Sequence, residues 1–121
     1  MLFPVSNKDN RLGLKEIVVG FENKGQYKAY KLHDIENKKV INDQVNGKSI
    51  ALFSLYPFMV RAYKPIIENE MTLQFDHNAE KNIFVDMQTG SEWNFDGNAI
   101  EGKMKGKQLT RLPFDEAFWF E

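Results

Sequence analysis

The eight residues from Asp86 to Trp93, DMQTGSEW, bring together the carboxylate of Asp86, two hydroxyls, a glycine and an indole. One chemistry for such a set is that of the aspartic proteases, where Asp followed directly by Thr-Gly lets two such loops share a proton. Here Met87 and Gln88 intervene and there is no second copy, so the dyad has no other half. The alternative is a chain reversal. Asp86 ends a strand and accepts backbone N–H bonds across the turn, Gly90 takes a positive φ, and Trp93 re-enters the core. The residue types favour the turn, with Asp86, Ser91 and Trp93 kept as ligand-binding candidates in case the motif lines a cleft.

A second carboxylate, Asp43, lies in VINDQVNG, where Asn42 and Asp43 are read as closing a strand by the same side-chain-to-backbone bonding. Asp43 and Asp86 together with a histidine would make an acid–base pair or an oxygen-rich cation site. His33 and His77 are the only histidines, 44 residues apart and each beside an Asp. Neither an EF-hand spacing nor a His-x-x-x-His pattern supports them, and no metal or cofactor is expected. Tyr56, Phe58 and Tyr63 flank Pro57 and could rim a pocket, which adds Tyr56 and Tyr63 to the ligand-binding candidates. Lys103, Lys105 and Lys107 alternate; in a strand they would share a face, with Arg111 beyond them. Such a stripe is either an edge protected by lysines or a polyanion-binding surface. The aromatic interleaving of a single-strand nucleic-acid binder is missing there, so nucleic acid is not the expected partner. The serines lack a Gly-x-Ser-x-Gly setting, and GKMKGK lacks the spacing and hydroxyl of a phosphate loop.

Composition narrows the field further. The 121 residues carry 16 Lys plus Arg against 17 Asp plus Glu, a net charge of -1, so no global field draws the chain to a polyanion or an anionic membrane. Cysteine is absent, which removes thiol nucleophiles, thiolate metal sites and dithiol redox chemistry while leaving the compartment open. The longest apolar run, IALFSLYPFMV, is broken by Pro57 and falls short of the ~18 residues of a membrane helix. The opening MLFPVSNKDNRLG lacks the basic and long apolar regions of a signal peptide.

The elements that must carry these residues read as short strands. After a polar lead-in (residues 1–14), KEIVVGFEN and QYKAYKLHD form a hairpin around Asn23–Gly25. A second hairpin turns at Asn46-Gly47, where both residues tolerate positive φ. EMTLQF, NIFVDM and two pieces of NAIEGKMKGKQLTRL follow, while Pro57 marks a bend or edge. Only PFDEAFWFE, residues 113–121, looks helical, with Pro113 early and Asp115 and Glu116 in the first turn. About eight short strands predict one mainly β domain over residues 1–121, an antiparallel small barrel or sandwich with a short C-terminal helix.

Taken in order, EIVVGF, YKAYKL, VINDQVNGKSIAL, LQF, DMQTGSEW, NAIEGKMKGKQLTRLP and FWFE resemble the family known as domain of unknown function 3179. The match runs from about Glu16 to the end of the chain, and its most specific part is Asp86 to Leu112. The resemblance implies bacterial and archaeal relatives that are often exported, and a domain that continues past FWFE with another Trp and a His-Pro. The chain therefore reads as part of a longer polypeptide. Many relatives carry a Cys-x-x-Cys and a histidine whose positions fall here on Ser54, Pro57 and Lys38. With those ligands replaced, the expectation is a non-catalytic binding or interaction module with a small-molecule or protein partner. The alternatives are an enzyme or metal-dependent site built on Asp43, Asp86 and a histidine, and a polyanion binder using Lys103, Lys105 and Lys107.

Overall fold

The computed structural model describes the backbone of residues 2–4 and 14–120 and the side chains of residues 17–115. The strands are β1 (Leu2–Pro4), β2 (Leu14–Asn23), β3 (Gln26–Lys31), β4 (Val40–Val45), β5 (Lys48–Phe53), β6 (Arg61–Lys64), β7 (Ile66–Ile67), β8 (Met71–Thr72), β9 (Phe75–Asn78), β10 (Ile83–Asp86), β11 (Glu92–Trp93), β12 (Ala99–Glu101), β13 (Thr110–Arg111) and β14 (Asp115–Phe120); the helix is α1 (Leu32–Lys38). They assemble into three four-stranded sheets, β1-β14-β2-β3, β13-β6-β5-β4 and β12-β11-β10-β9, and the pair β7-β8. All strand pairings are antiparallel. Among the described residues the chain is mainly β with one short helix, and no sheet closes on itself.

Two tight turns set the long hairpins. Lys24-Gly25 joins β2 to β3 with φ of 50° and 87°, and Asn46-Gly47 joins β4 to β5 with φ of 48° and 82°. These left-handed pairs match the twist of the strands they connect.

The sheet β13-β6-β5-β4 is central because both of its faces are apolar. Alternate side chains of a strand point to opposite faces. Val45, Ile50, Leu52 and Ala62 pack with Val19 and Phe21 of β2 and with Leu32 and Ile35 of α1. Their neighbours Ala51, Phe53 and Tyr63 pack on the other side with Phe75, Phe84 and Trp93. Phe53 lies flat on Phe84 at 3.9 Å between centroids and meets Phe75 edge-on at 5.1 Å. Beyond these rings, β4 and β9 are joined by one side chain. Asn42 donates from Nδ2 to the Phe75 carbonyl and accepts the Phe75 N–H on Oδ1, both at 2.9 Å. The amide thus stands in for a strand's backbone.

Three expectations change. The residues 113–121 contain no helix where described: Asp115–Phe120 is β14, pairing with β2 from Asp115↔Gly20 to Phe120↔Leu14. Pro113 and the two acids suit a helix start, but the backbone hydrogen bonds of the final residues go to neighbouring strands, and aromatic residues favour that state. The helix lies instead at Leu32–Lys38, beginning in the last three residues, Leu32 to Asp34, of the segment read as strand. Its first turn has no side-chain cap; it ends at Lys39, whose φ is 69° and whose N–H donates to the Ile35 carbonyl. Burial of Leu32 and Ile35 holds it. Finally, β4 runs through Asn42 and Asp43 to Val45 rather than stopping there. The lead-in of residues 5–13 lies outside the described residues.

Replacing Asn42 by Ala should leave the partly buried Phe75 amide and carbonyl unpaired and cost roughly 1–3 kcal/mol of stability. Urea unfolding of the two proteins checks this, and a change within about ±0.5 kcal/mol would show that the β4–β9 link is dispensable.

Candidate functional site

Strand β10 buries Phe84 and Asp86 on one face, so the carboxylate of the motif points inward. The turn after it closes on its own backbone: Gly90 N–H donates to the Asp86 carbonyl at 2.9 Å, and Asp86 N–H donates to the Ser91 carbonyl at 3.1 Å. Gly90 takes φ +73°. Asp86, Ser91 and Trp93 are wholly buried.

The buried polar groups of this turn are paired with one another. Asp86 Oδ1 accepts the Thr89 N–H at 2.5 Å, and the Thr89 hydroxyl lies 2.8 Å from both carboxylate oxygens. Oδ2 also accepts the indole N–H of Trp93 at 2.8 Å. An ionised carboxylate only accepts, so the one hydroxyl proton of Thr89 goes to Asp86. Ser91 Oγ, 2.7 Å from Thr89 Oγ1, must then donate to Thr89. Its own lone pair receives the Met104 N–H at 2.9 Å. The bonds run one way, from Met104 through Ser91 and Thr89 to Asp86. Gly102 seals the arrangement: a Cβ there would fall 2.8 Å from both Cα and Oγ of Ser91, and its φ is +96°. The geometry is that of a structural turn with no exposed reactive atom.

Asp43 has a different setting. It lies near the outer edge of the central sheet, its side chain about one-third exposed. Oδ2 pairs with Lys28 Nζ and accepts the Tyr30 hydroxyl, each at 2.7 Å, and Oδ1 accepts the Gln44 N–H at 2.8 Å. Burial alone pushes this carboxyl's pKa up, but the bonds from Lys28, Tyr30 and Gln44 outweigh it and hold the value below that of an ordinary aspartate. Burial, then the bond to Asp43, pushes the Tyr30 hydroxyl far up. Asp43 lines two cavities. One, of about 250 Å³, has Asn42, Gln44, Ser49, Thr72 and Gln74 around it; the other, of about 360 Å³, has Tyr30, Asp34 and Lys38.

The remaining candidates are dispersed. Among the described residues no hydrogen bond or ion pair joins Asp43 to Asp86, and no group of three His, Asp or Glu side chains is arranged to hold a metal. His33 bonds to Asn37 at 3.1 Å and His77 to Asn82 at 2.9 Å. Tyr63 is core rather than rim: it is fully buried, its hydroxyl donates to the Phe95 carbonyl at 2.6 Å, and burial pushes its pKa up to about 12. Tyr56 is half-exposed and meets Phe95 edge-on. Lys103, Lys105 and Lys107 do not form a strand face. They occupy a turn in which Lys105 N–H bonds to the Gly102 carbonyl and Lys107 N–H to that of Met104. Lys107 pairs with Glu68 at 2.6 Å, and Arg111 stands apart in β13. Gly102 and Gly106, at φ +96° and +91°, bend the chain that the alternation of lysines made look extended.

Thr89 and Met104 escaped the sequence reading, although the three-residue spacing from Asp86 to Thr89 is that of a side-chain-stabilised turn. Lys28 and Tyr30, reaching Asp43 from another sheet, have no local signal.

The sequence profile of the family described as Protein of unknown function (DUF3179) matches residues 1–121, and the chain belongs to that family. No curated protein matches it, and no solved structure does. No described helix is long and apolar enough to cross a membrane.

Two outcomes test this geometry. Asp86→Asn keeps the shape but turns an NH₂ group toward either Trp93 or Thr89, donor against donor, so it should destabilise by about 2 kcal/mol or more, read by denaturant unfolding with tryptophan fluorescence. For Asp43, a folded pKa below the unfolded value means a contribution that is complete above the ordinary 3.8 and lost as acid titrates the group. The stability gap between wild type and Asp43→Asn should be constant near neutrality and shrink below about pH 4.

Proposed function

We propose that this domain is a non-catalytic binding module, a layered β-sandwich that takes a small polar ligand in the cleft beside Asp43. The observation that carries this reading is the division of labour between the two carboxylates. Asp86 and the motif hydroxyls are consumed by the turn, whereas Asp43 keeps an exposed face at a cavity. Asn42, Gln44, Ser49, Thr72 and Gln74 give that cleft amides and hydroxyls, with Leu73 and Ile50 as apolar wall. Such a lining suits a neutral ligand with several hydroxyl or amide groups, orientated by a few polar contacts. The volume of about 250 Å³ favours a compact one.

The residues nearest the cleft also argue against chemistry there. The Asp43 carboxylate is held ionised by Lys28 and Tyr30, which suits a fixed acceptor better than a group that must exchange protons near neutral pH.

A ligand-observed NMR screen of small polyols, amides and sugars tests the proposal. Hits should perturb Gln44, Ser49 and Thr72 amides, and Asp43→Asn should weaken them about tenfold. Turnover in a broad hydrolase or redox screen, abolished by Asp43→Asn in a folded protein, would overturn it.

A further inference from the structure

The β5–β6 connection, residues 54–60, holds an unmatched group of a different kind. Arg61, which opens β6 opposite Phe53, has its guanidinium carbon 5.0 Å from the centroid of the Phe95 ring. Its Nε is buried and has no acceptor, and among the described residues no carboxylate pairs with it. Ser54, one step past Phe53, is 1% exposed, and its hydroxyl also has no partner. These are the two buried side-chain polar atoms left unsatisfied among the described residues, and both sit at the same end of the central sheet. An unpaired buried donor on a charged group is costly, and a guanidinium cannot escape by losing its proton.

The loop that leads into Arg61 carries exposed apolar side chains. Tyr56 meets the same Phe95 ring at 5.5 Å and 88°. Phe58 and Met59 follow in the loop, 75% and 39% exposed. The loop is not slack: Phe58 sits at φ +60° and its N–H donates to Glu36 of α1 at 2.8 Å, while Met59 N–H donates to the Tyr56 carbonyl. An unpaired cation beside an aromatic ring that Tyr56 also meets, at the end of a loop with exposed apolar side chains, is an amphiphilic site.

We propose that Arg61, with Phe95 and Tyr56, binds the carboxylate of a ligand whose body is apolar. A guanidinium presents paired donors in the plane that a carboxylate accepts, and the Phe95 ring beside it keeps the group in place. One such cation balances a monoanion, which selects a carboxylate over a phosphate dianion. The carboxylate belongs either to a free small acid or to the end of a peptide, and its site is separate from the cleft at Asp43.

NMR titration of the wild-type chain tests the site with four probes: phenylacetate, its neutral methyl ester, N-acetylphenylalanine and N-acetylphenylalaninamide. The acids should give saturable shifts at residues 54–61 and at Phe95, and the ester and amide should not. Arg61→Gln should weaken acid binding about tenfold or more, Arg61→Lys by less, and Asp43→Asn should leave it unchanged. Tighter binding of N-acetylphenylalanine than of phenylacetate assigns the site to peptide ends, and the reverse order to free acids. Equal binding of acids and their neutral partners, unaltered binding by Arg61→Gln, or no shifts up to about 10 mM would each overturn the proposal. Should Arg61→Gln fail to fold, the preference for acid over ester on the wild-type protein, present or absent, still supports the site or rules it out.

Discussion

A carboxylate held away from water, with no Lys or Arg paired to it among the described residues, is the constraint around which one half of this domain is arranged. Asp86 is stabilised by directed donors alone: the Thr89 amide and hydroxyl and the Trp93 indole. Hydrogen bonds to an ionised acceptor are stronger than neutral ones, and each of these also fixes a segment of chain. The Thr89 contacts set the turn, and the indole sets the depth at which β11 enters the core. Through Ser91 and Met104 the same chain of bonds reaches the loop that begins at Gly102. A group that looks reactive in isolation serves here as an assembly point, because its lone pairs are engaged before any reactant could approach.

The other half is organised by a sheet without a solvent face. With apolar side chains on both sides of β4, β5 and β6, polar chemistry is pushed to the sheet's margins. Asp43 lies at one margin and the β5–β6 loop with Arg61 at the other. Their contrast is instructive: Asp43 has found Lys28 and Tyr30, and Arg61 has found only an aromatic ring.

How much of this could be read from the residues depended on how local the deciding interaction was. The reversal at Asp86 was legible because the partners of its carboxylate, Thr89 and Trp93, fall within eight residues. The Asn46-Gly47 turn was legible because positive φ is a property of the residues themselves. The short helix was not, since Lys31 offers no capping side chain and two buried residues, Leu32 and Ile35, supply its reason to form. Residues 115–120 misled in the opposite way. Their opening composition is helical, and their state is chosen by a strand nearly a hundred positions earlier. The lysines between 103 and 107 mimicked strand alternation until two glycines bent them into a turn. Nothing in the order of residues pointed to the encounter of Lys28 and Tyr30 with Asp43, or to that of Arg61 with the Phe95 ring; both arise from sheet packing.

The amide of Asn42 has a bearing beyond fold stability. Strands β4 and β9 are both the last members of their sheets, and a terminal strand with idle backbone groups is a template on which another chain can grow. By occupying Phe75 on both its N–H and its carbonyl, one neutral side chain turns two hazardous borders toward each other. Transient separation of the layers would uncover both at once, so a residue that also lines the cleft beside Asp43 screens two sheet edges from pairing with another chain.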